Sequence, residues 1–129
     1  MPFPHPIAIV ATRDGHSFIV EKPIEYVTNA GQRIIIPIGA TTDGASTPQP
    51  MWNVLPPFGD YFLAALLHDA LYRNYAVDEQ DNRLALDRED CDALLFEAMV
   101  SLGVPEATRT AIYDGVRLGG HWAFVADRA

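Results

Sequence analysis

Residues 61–75, YFLAALLHDALYRNY, decide how the rest of the chain is read. Asp60 offers an N-cap, and Phe62, Leu63, Ala64, Ala65, Leu66 and Leu67 are apolar on every side of a 3.6-residue period. That pattern predicts a largely buried helix over 61–75. His68, Asp69, Tyr72 and Arg73 then lie on an element that the apolar run drives out of water. Residues four apart share a helix face, so His68 lines up with Tyr72 and Asp69 with Arg73. A buried ionisable group is costly without a partner. The sequence leaves two uses open for the four side chains: a structural ion-pair network or a chemical site.

Downstream, residues 76–85 read as a polar connection. Asp87, with Asp90 three residues on, opens a second helix that runs to about Leu102 and stops at Gly103. Its apolar stripe is Cys91, Leu94, Leu95, Ala98, Met99 and Leu102. Asp92 falls beside that stripe. If the two helices pack antiparallel across a connection of about ten residues, His68 is its natural partner. A His–Asp pair fixes the imidazole tautomer and leaves the other nitrogen to take a proton from water. The remaining acidic residues at this helix start, Asp87, Glu89 and Asp90, complement the helix dipole in solvent. Pro105 fits the first turn of a third helix, expected to end near Gly119-Gly120, with Trp122 and Phe124 packing the tail. Arg117 is then read as a helix-end arginine on the final carbonyls, ahead of a place lining a substrate pocket.

Upstream, Ile7–Ala11, Ser17–Val20, Ile24–Val27 and Arg33–Ile38 read as short strands. Asp14-Gly15 and Asn29-Ala30-Gly31 supply turns between them, and Pro37 sets an edge or bulge at the end of the last. Residues 39–60 form a long irregular segment with Met51, Trp52, Val54, Leu55 and Phe58 to pack it, the kind of loop that is usually functional. The expected architecture is one α+β domain over 1–129: a β-rich meander (1–42), a functional loop (43–60) and a helical part (61–129).

Composition narrows the function classes. The chain has 129 residues, 49% hydrophobic and 20% charged, as in ordinary globular domains. Nine basic against seventeen acidic residues leave a net charge of −8, which disfavours nucleic-acid partners. No apolar run approaches the roughly 20 residues needed to span a bilayer, so no integral membrane protein is expected. Met1-Pro2-Phe3-Pro4-His5-Pro6 has no basic region of the signal-peptide type. One cysteine, Cys91, rules out a disulfide scaffold and suits a core position.

Thr42-Asp43-Gly44-Ala45-Ser46-Thr47-Pro48 is the second chemical segment. Asp43 and the carbonyls near Gly44 can either build an Asx-turn or offer oxygens to a hard cation. Ser46 stands outside any G-x-S-x-G elbow. His5, His16 and His121 lack metal-ligand spacing.

TDGASTP, a following Trp, HDALYR, a helix with an Asp–Phe pair, Val116-Arg117-Leu118-Gly119 and a late Trp together resemble an uncharacterised family of small phage and prophage proteins. The resemblance covers the chain from about residue 25 and implies a host-cytoplasmic or virion setting with virion proteins as partners. Residues 43–99 also resemble, more distantly, bacterial and fungal-type phospholipase A2. The matching features are Asp43, Pro57-Phe58-Gly59, the run His68-Asp69-Ala70-Leu71-Tyr72-Arg73-Asn74, and Asp92. The resemblance implies His68 as general base and Asp92 (or Asp87) as the residue orienting it. It implies Asp69, Asp43 and a carbonyl near Gly44 as calcium ligands, ahead of zinc, and Tyr72 as a supporting hydrogen-bond donor. The implied substrate is a lipid or another ester or amide at the cell envelope. The single cysteine, the Leu66-Leu67 run in place of a cysteine, and the β-rich first half depart from those secreted enzymes.

Three functions follow as expectations. The first is a metal-dependent hydrolase. The second is a non-catalytic virion structural or assembly protein, for which the His–Asp set specifies packing. The third and least favoured is an HD-type phosphohydrolase, which needs a second histidine ligand beside His68.

Overall fold

The computed structural model describes residues 3–5, 7–11, 18–42, 62–84 and 86–128. Five short strands precede three helices: β1 (Ile9–Ala11), β2 (Phe18–Val20), β3 (Ile24–Val27), β4 (Arg33–Ile36), β5 (Thr41–Thr42), α1 (Phe62–Tyr72), α2 (Arg88–Ser101) and α3 (Glu106–Arg128). This is the expected α+β arrangement. The strands divide into two antiparallel sheets, of order β1-β2-β5 and β3-β4.

The β3-β4 hairpin shows why its sequence folds as it does. Ile24 pairs with Ile36 and Tyr26 with Ile34, and all four side chains are buried. Their alternation with partly exposed neighbours is the period-2 signature of a sheet with one face on the core. The turn closes through Thr28, whose N–H and hydroxyl bond Gln32, and through Gly31 at φ +87°. β4 stops at Ile36, one residue before Pro37, which has no N–H to continue the ladder. Val77, in the connection expected to be merely polar, exchanges two backbone hydrogen bonds with Ile35 and so covers the open edge of β4.

α1 is buried from Ala64 to Tyr72, as its all-round apolar sequence requires. Each fully buried leucine here, Leu67 and Leu71, contributes about 1.5–3 kcal/mol relative to an exposed one. The helix is shorter than the expected 61–75. Asn74 adopts φ +61°, and the N–H groups of Asn74 and Tyr75 bond the carbonyls of Leu71 and Ala70. That 5→2 and 6→1 pair is a Schellman stop, with asparagine taking the left-handed position usually held by glycine.

α2 begins and ends as expected. Asp87 caps it by accepting from the Asp90 N–H at 2.8 Å. Gly103, at φ +78°, closes a second Schellman stop with Val104 bonded back to Met99. α3 departs from expectation. It does not end at Gly119-Gly120 but continues to Arg128, through Trp122 and Phe124. A glycine weakens a helix interior by about 1 kcal/mol without terminating it, and Gly119 is not among the positive-φ glycines. α2 packs against both α1 and α3. Phe96 and Tyr113 meet edge to face at 5.4 Å across the second contact, with Arg109 over the Phe96 ring.

Among the described residues no helix is long and apolar enough to cross a membrane.

Candidate functional site: a buried His–Asp pair between two helices

The middle of α1 and the second turn of α2 bring His68 and Asp92 together. His68 Nε2 lies 2.6 Å from Asp92 Oδ1, and both side chains are wholly buried. Tyr72, one turn beyond His68, donates its hydroxyl to the same oxygen at 2.5 Å. The His68 and Tyr72 rings meet at 4.1 Å between centroids. The helical spacing predicted that shared face. Arg117 Nη1, from α3, donates to Asp92 Oδ2 at 2.7 Å. Asp92 therefore receives donors from α1 on one oxygen and from α3 on the other.

These contacts set the charge states. Burial alone would raise the Asp92 carboxyl, but hydrogen bonds from His68, Tyr72 and Arg117 outweigh it and hold the group below its usual range. Asp92 is thus an anion and accepts only. It follows that His68 carries its proton on Nε2. Burial pushes the His68 imidazole below its ordinary value, against the opposing pull of Asp92. The ring is then neutral near pH 7, with its lone pair on Nδ1. That atom is buried and has no hydrogen-bond partner among the described residues. Burial, then the Asp92 charge, pushes the Tyr72 hydroxyl far up, so it remains a donor. Arg117 is raised chiefly by its bond to Asp92 and stays charged.

Asp69 faces Arg73, with Nε 3.3 Å from Oδ1, as the same spacing predicted. Asp87, the alternative partner for His68, is instead the cap of α2 and is exposed. Cys91 is buried, in keeping with a core role. Asp43, Gly44, Ser46 and Trp52 lie outside the described residues. Among the described residues no group of three or more His, Cys, Asp or Glu side chains is placed to hold a metal ion. Of the expected calcium set only Asp69 is described, and its carboxylate faces a guanidinium. A calcium cage needs six to eight oxygens. The described residues alone do not form one.

A family model described as a protein of unknown function, DUF1353, matches residues 18–116. The chain belongs to the DUF1353 family. This agrees with the expectation of a family without an assigned activity. The matched segment contains His68, Asp69, Tyr72 and Asp92 and ends one residue before Arg117. No curated protein and no solved structure matches the chain.

Arg117 is the site residue that sequence reasoning assigned to another task. Reading Gly119-Gly120 as a stop placed it on terminal carbonyls, whereas α3 runs on and leaves it in mid-helix. The signal that could have found it is its position directly after Val116, in a stripe with Ile112 that is fully buried against the core. An arginine at the margin of such a stripe reaches whatever anion the neighbouring helix buries.

Proposed function

We propose that this protein is a hydrolase in which His68 acts as general base on a water molecule that attacks an ester or amide carbonyl. The observation that carries this reading is the asymmetry of the His68 ring. Nε2 is fixed on Asp92 at 2.6 Å, while Nδ1 is a buried acceptor with no partner among the described residues. A buried acceptor left unmatched costs about 1–3 kcal/mol, so a water or substrate proton at Nδ1 is the natural completion.

The chemistry follows from the two nitrogens. His68 Nδ1 takes a proton as the water oxygen bonds to the carbonyl carbon, and Asp92 offsets the positive charge that develops on the ring. Collapse of the tetrahedral intermediate breaks the bond to the leaving oxygen or nitrogen, which receives the proton from Nδ1. Tyr72 steadies Asp92 throughout. A calcium ion held by Asp69, Asp43 and a carbonyl near Gly44 would supply a Lewis acid for the carbonyl oxygen; no step above depends on it. The substrate class, an ester or amide of the cell envelope, and the phage or prophage setting rest on the sequence resemblances.

The test is a comparison of wild type with His68→Gln on phospholipid vesicles and soluble esters, with calcium and with chelator. Hydrolysis by wild type that falls by about 10²–10⁴-fold in the variant supports a general base. Calorimetry with calcium on wild type, Asp43→Asn and Asp69→Asn separates the metal question from the base. No His68-dependent hydrolysis of any substrate overturns the reading.

A second reading is supported by the closure of the same network. His68, Tyr72 and Asp92 are all without solvent exposure, and both oxygens of Asp92 are engaged. A buried network whose carboxylate is fully engaged can serve to fix helix packing in a virion structural or assembly protein. Incorporation into purified particles, with no His68-dependent turnover, would favour it. The HD-type reading gains nothing from His5, which pairs with Glu25 at the surface.

A further inference from the structure

We propose that Arg117 is a positioning residue that holds the Asp92 carboxylate in register with His68, so that docking of α3 completes the site on α1 and α2. The proposal rests on the reading of His68 as the base. Its argument is geometric. Arg117 touches α2 at two points four residues apart on one face. Its guanidinium donates to Asp92 Oδ2 at 2.7 Å, and its backbone carbonyl accepts from Arg88 Nη2 at 2.9 Å. Arg88 and Asp92 are one turn apart on α2, so the pair brackets Arg117 from both sides. The Arg88 bond holds the Arg117 backbone beside α2, and the guanidinium cannot slide along α2 without giving up Asp92.

This bracketing bears on the carboxylate plane. Oδ1 takes both α1 donors, His68 and Tyr72, and only Oδ2 is left to fix the rotation of the group about its bond to Cβ. Among the described residues Arg117 is the sole donor to Oδ2. Without it the carboxylate can turn, and either oxygen can face His68. The Nε2–H bond then loses its single length and angle, and the imidazole that carries Nδ1 loses its fixed orientation. Arg109 makes a useful contrast. It joins the same two helices, through the Val104 carbonyl at 3.1 Å and the Phe96 ring, and it makes no bond to Asp92.

The experiment is proton and nitrogen NMR of the full chain labelled at histidine. In wild type His68 gives a far-downfield, slowly exchanging Nε2–H signal and the nitrogen shifts of a single Nε2–H tautomer. Arg117→Met keeps the alkyl stem and removes the guanidinium; its expected result is loss of that signal to faster exchange, in a chain whose amide spectrum remains folded. Arg117→Lys restores a charge without the fixed fork, and its signal returns in part, at a shifted position. Arg109→Met lowers the unfolding midpoint and leaves the His68 signal in place. An unchanged His68 signal in folded Arg117→Met overturns the proposal. If that variant does not fold, an unchanged signal in Arg117→Lys does so. Equal loss in Arg109→Met also overturns it, because α3 docking alone would then account for the effect. The signal reports the hydrogen bond whether or not the chain hydrolyses anything. A shifted signal with no His68-dependent hydrolysis therefore refutes the hydrolase and leaves the positioning role standing.

Discussion

The Nε2 atom of His68 and the Oδ1 atom of Asp92 meet at 2.6 Å between α1 and α2, at a point neither helix exposes to solvent. Two helices that share so short a polar contact in their core have their relative placement fixed there. An apolar seam tolerates sliding by fractions of an ångström, whereas a hydrogen bond weakens steeply when its geometry is lost. The contact thus specifies the packing and orients the imidazole at the same time.

Substituting Asp92→Asn tests the charge at this point. The amide has one acceptor oxygen where the carboxylate has two, and its NH₂ would face a donor from His68, Tyr72 or Arg117. Arg117 is about a third exposed, so solvent offsets part of its loss. The expected loss of unfolding free energy is about 2–4 kcal/mol, read from urea midpoints. Any His68-dependent hydrolysis should fall with it.

Tyr72→Phe removes one donor and no charge. Asp92 keeps His68 on Oδ1 and Arg117 on Oδ2, and the phenyl ring still packs on His68. The expected cost is about 1 kcal/mol, clearly below that of Asp92→Asn. Urea unfolding of the two variants side by side checks the order; a reversal would mean that Tyr72 holds something other than Asp92.

Much of this site is legible in the sequence, and the reason is spacing. His68 with Tyr72 and Asp69 with Arg73 follow from one helical turn, and Asp92 follows from its place beside the Leu95 and Met99 stripe. The caps at Asp87 and Gly103 are local chemistry, readable within a few residues. Arg117 was hidden because its role depends on where α3 ends, and two glycines look like a stop until the packing of a whole helix is counted against them. The end of α1 is hidden for the mirror reason: Asn74 stops it without a glycine. The division of the strands into two sheets depends on β5 returning to β2 past the β3-β4 hairpin. Such a long-range pairing has no local signature.

Asp87→Ala separates the two acidic residues offered as partners of His68. Asp87 caps α2 through the Asp90 N–H at 2.8 Å and is exposed. Its loss should cost about 1 kcal/mol, within the usual range for an N-cap. The His68 NMR signal and any hydrolysis should not change. A collapse of either would assign Asp87 a part in the site that its position does not support.

Stability should fall as the pH drops from 7 to 5, and His68 should account for a definable share. Burial holds its folded-state value below the ordinary 6.5. Between that folded value and 6.5 the unfolded chain binds a proton that the native chain does not, so acid favours unfolding. The contribution is fully present above about pH 6.5 and is lost as the pH falls toward the folded value. Its slope cannot exceed about 1.4 kcal/mol per pH unit for one proton. Asp92 has the same sign, but its contribution is retained until pH falls below the ordinary 3.8 and then lost toward its lower folded value. Urea unfolding of wild type and His68→Gln at pH 7, 6 and 5 isolates the term, since all other groups are common to both. The variant should be less stable at pH 7 and should lose less on acidification. Parallel curves would show that His68 titrates alike in the folded and unfolded chain; a wild type that loses less than the variant would show that His68 is already protonated in the native state, its Nδ1 then accepting no proton from water.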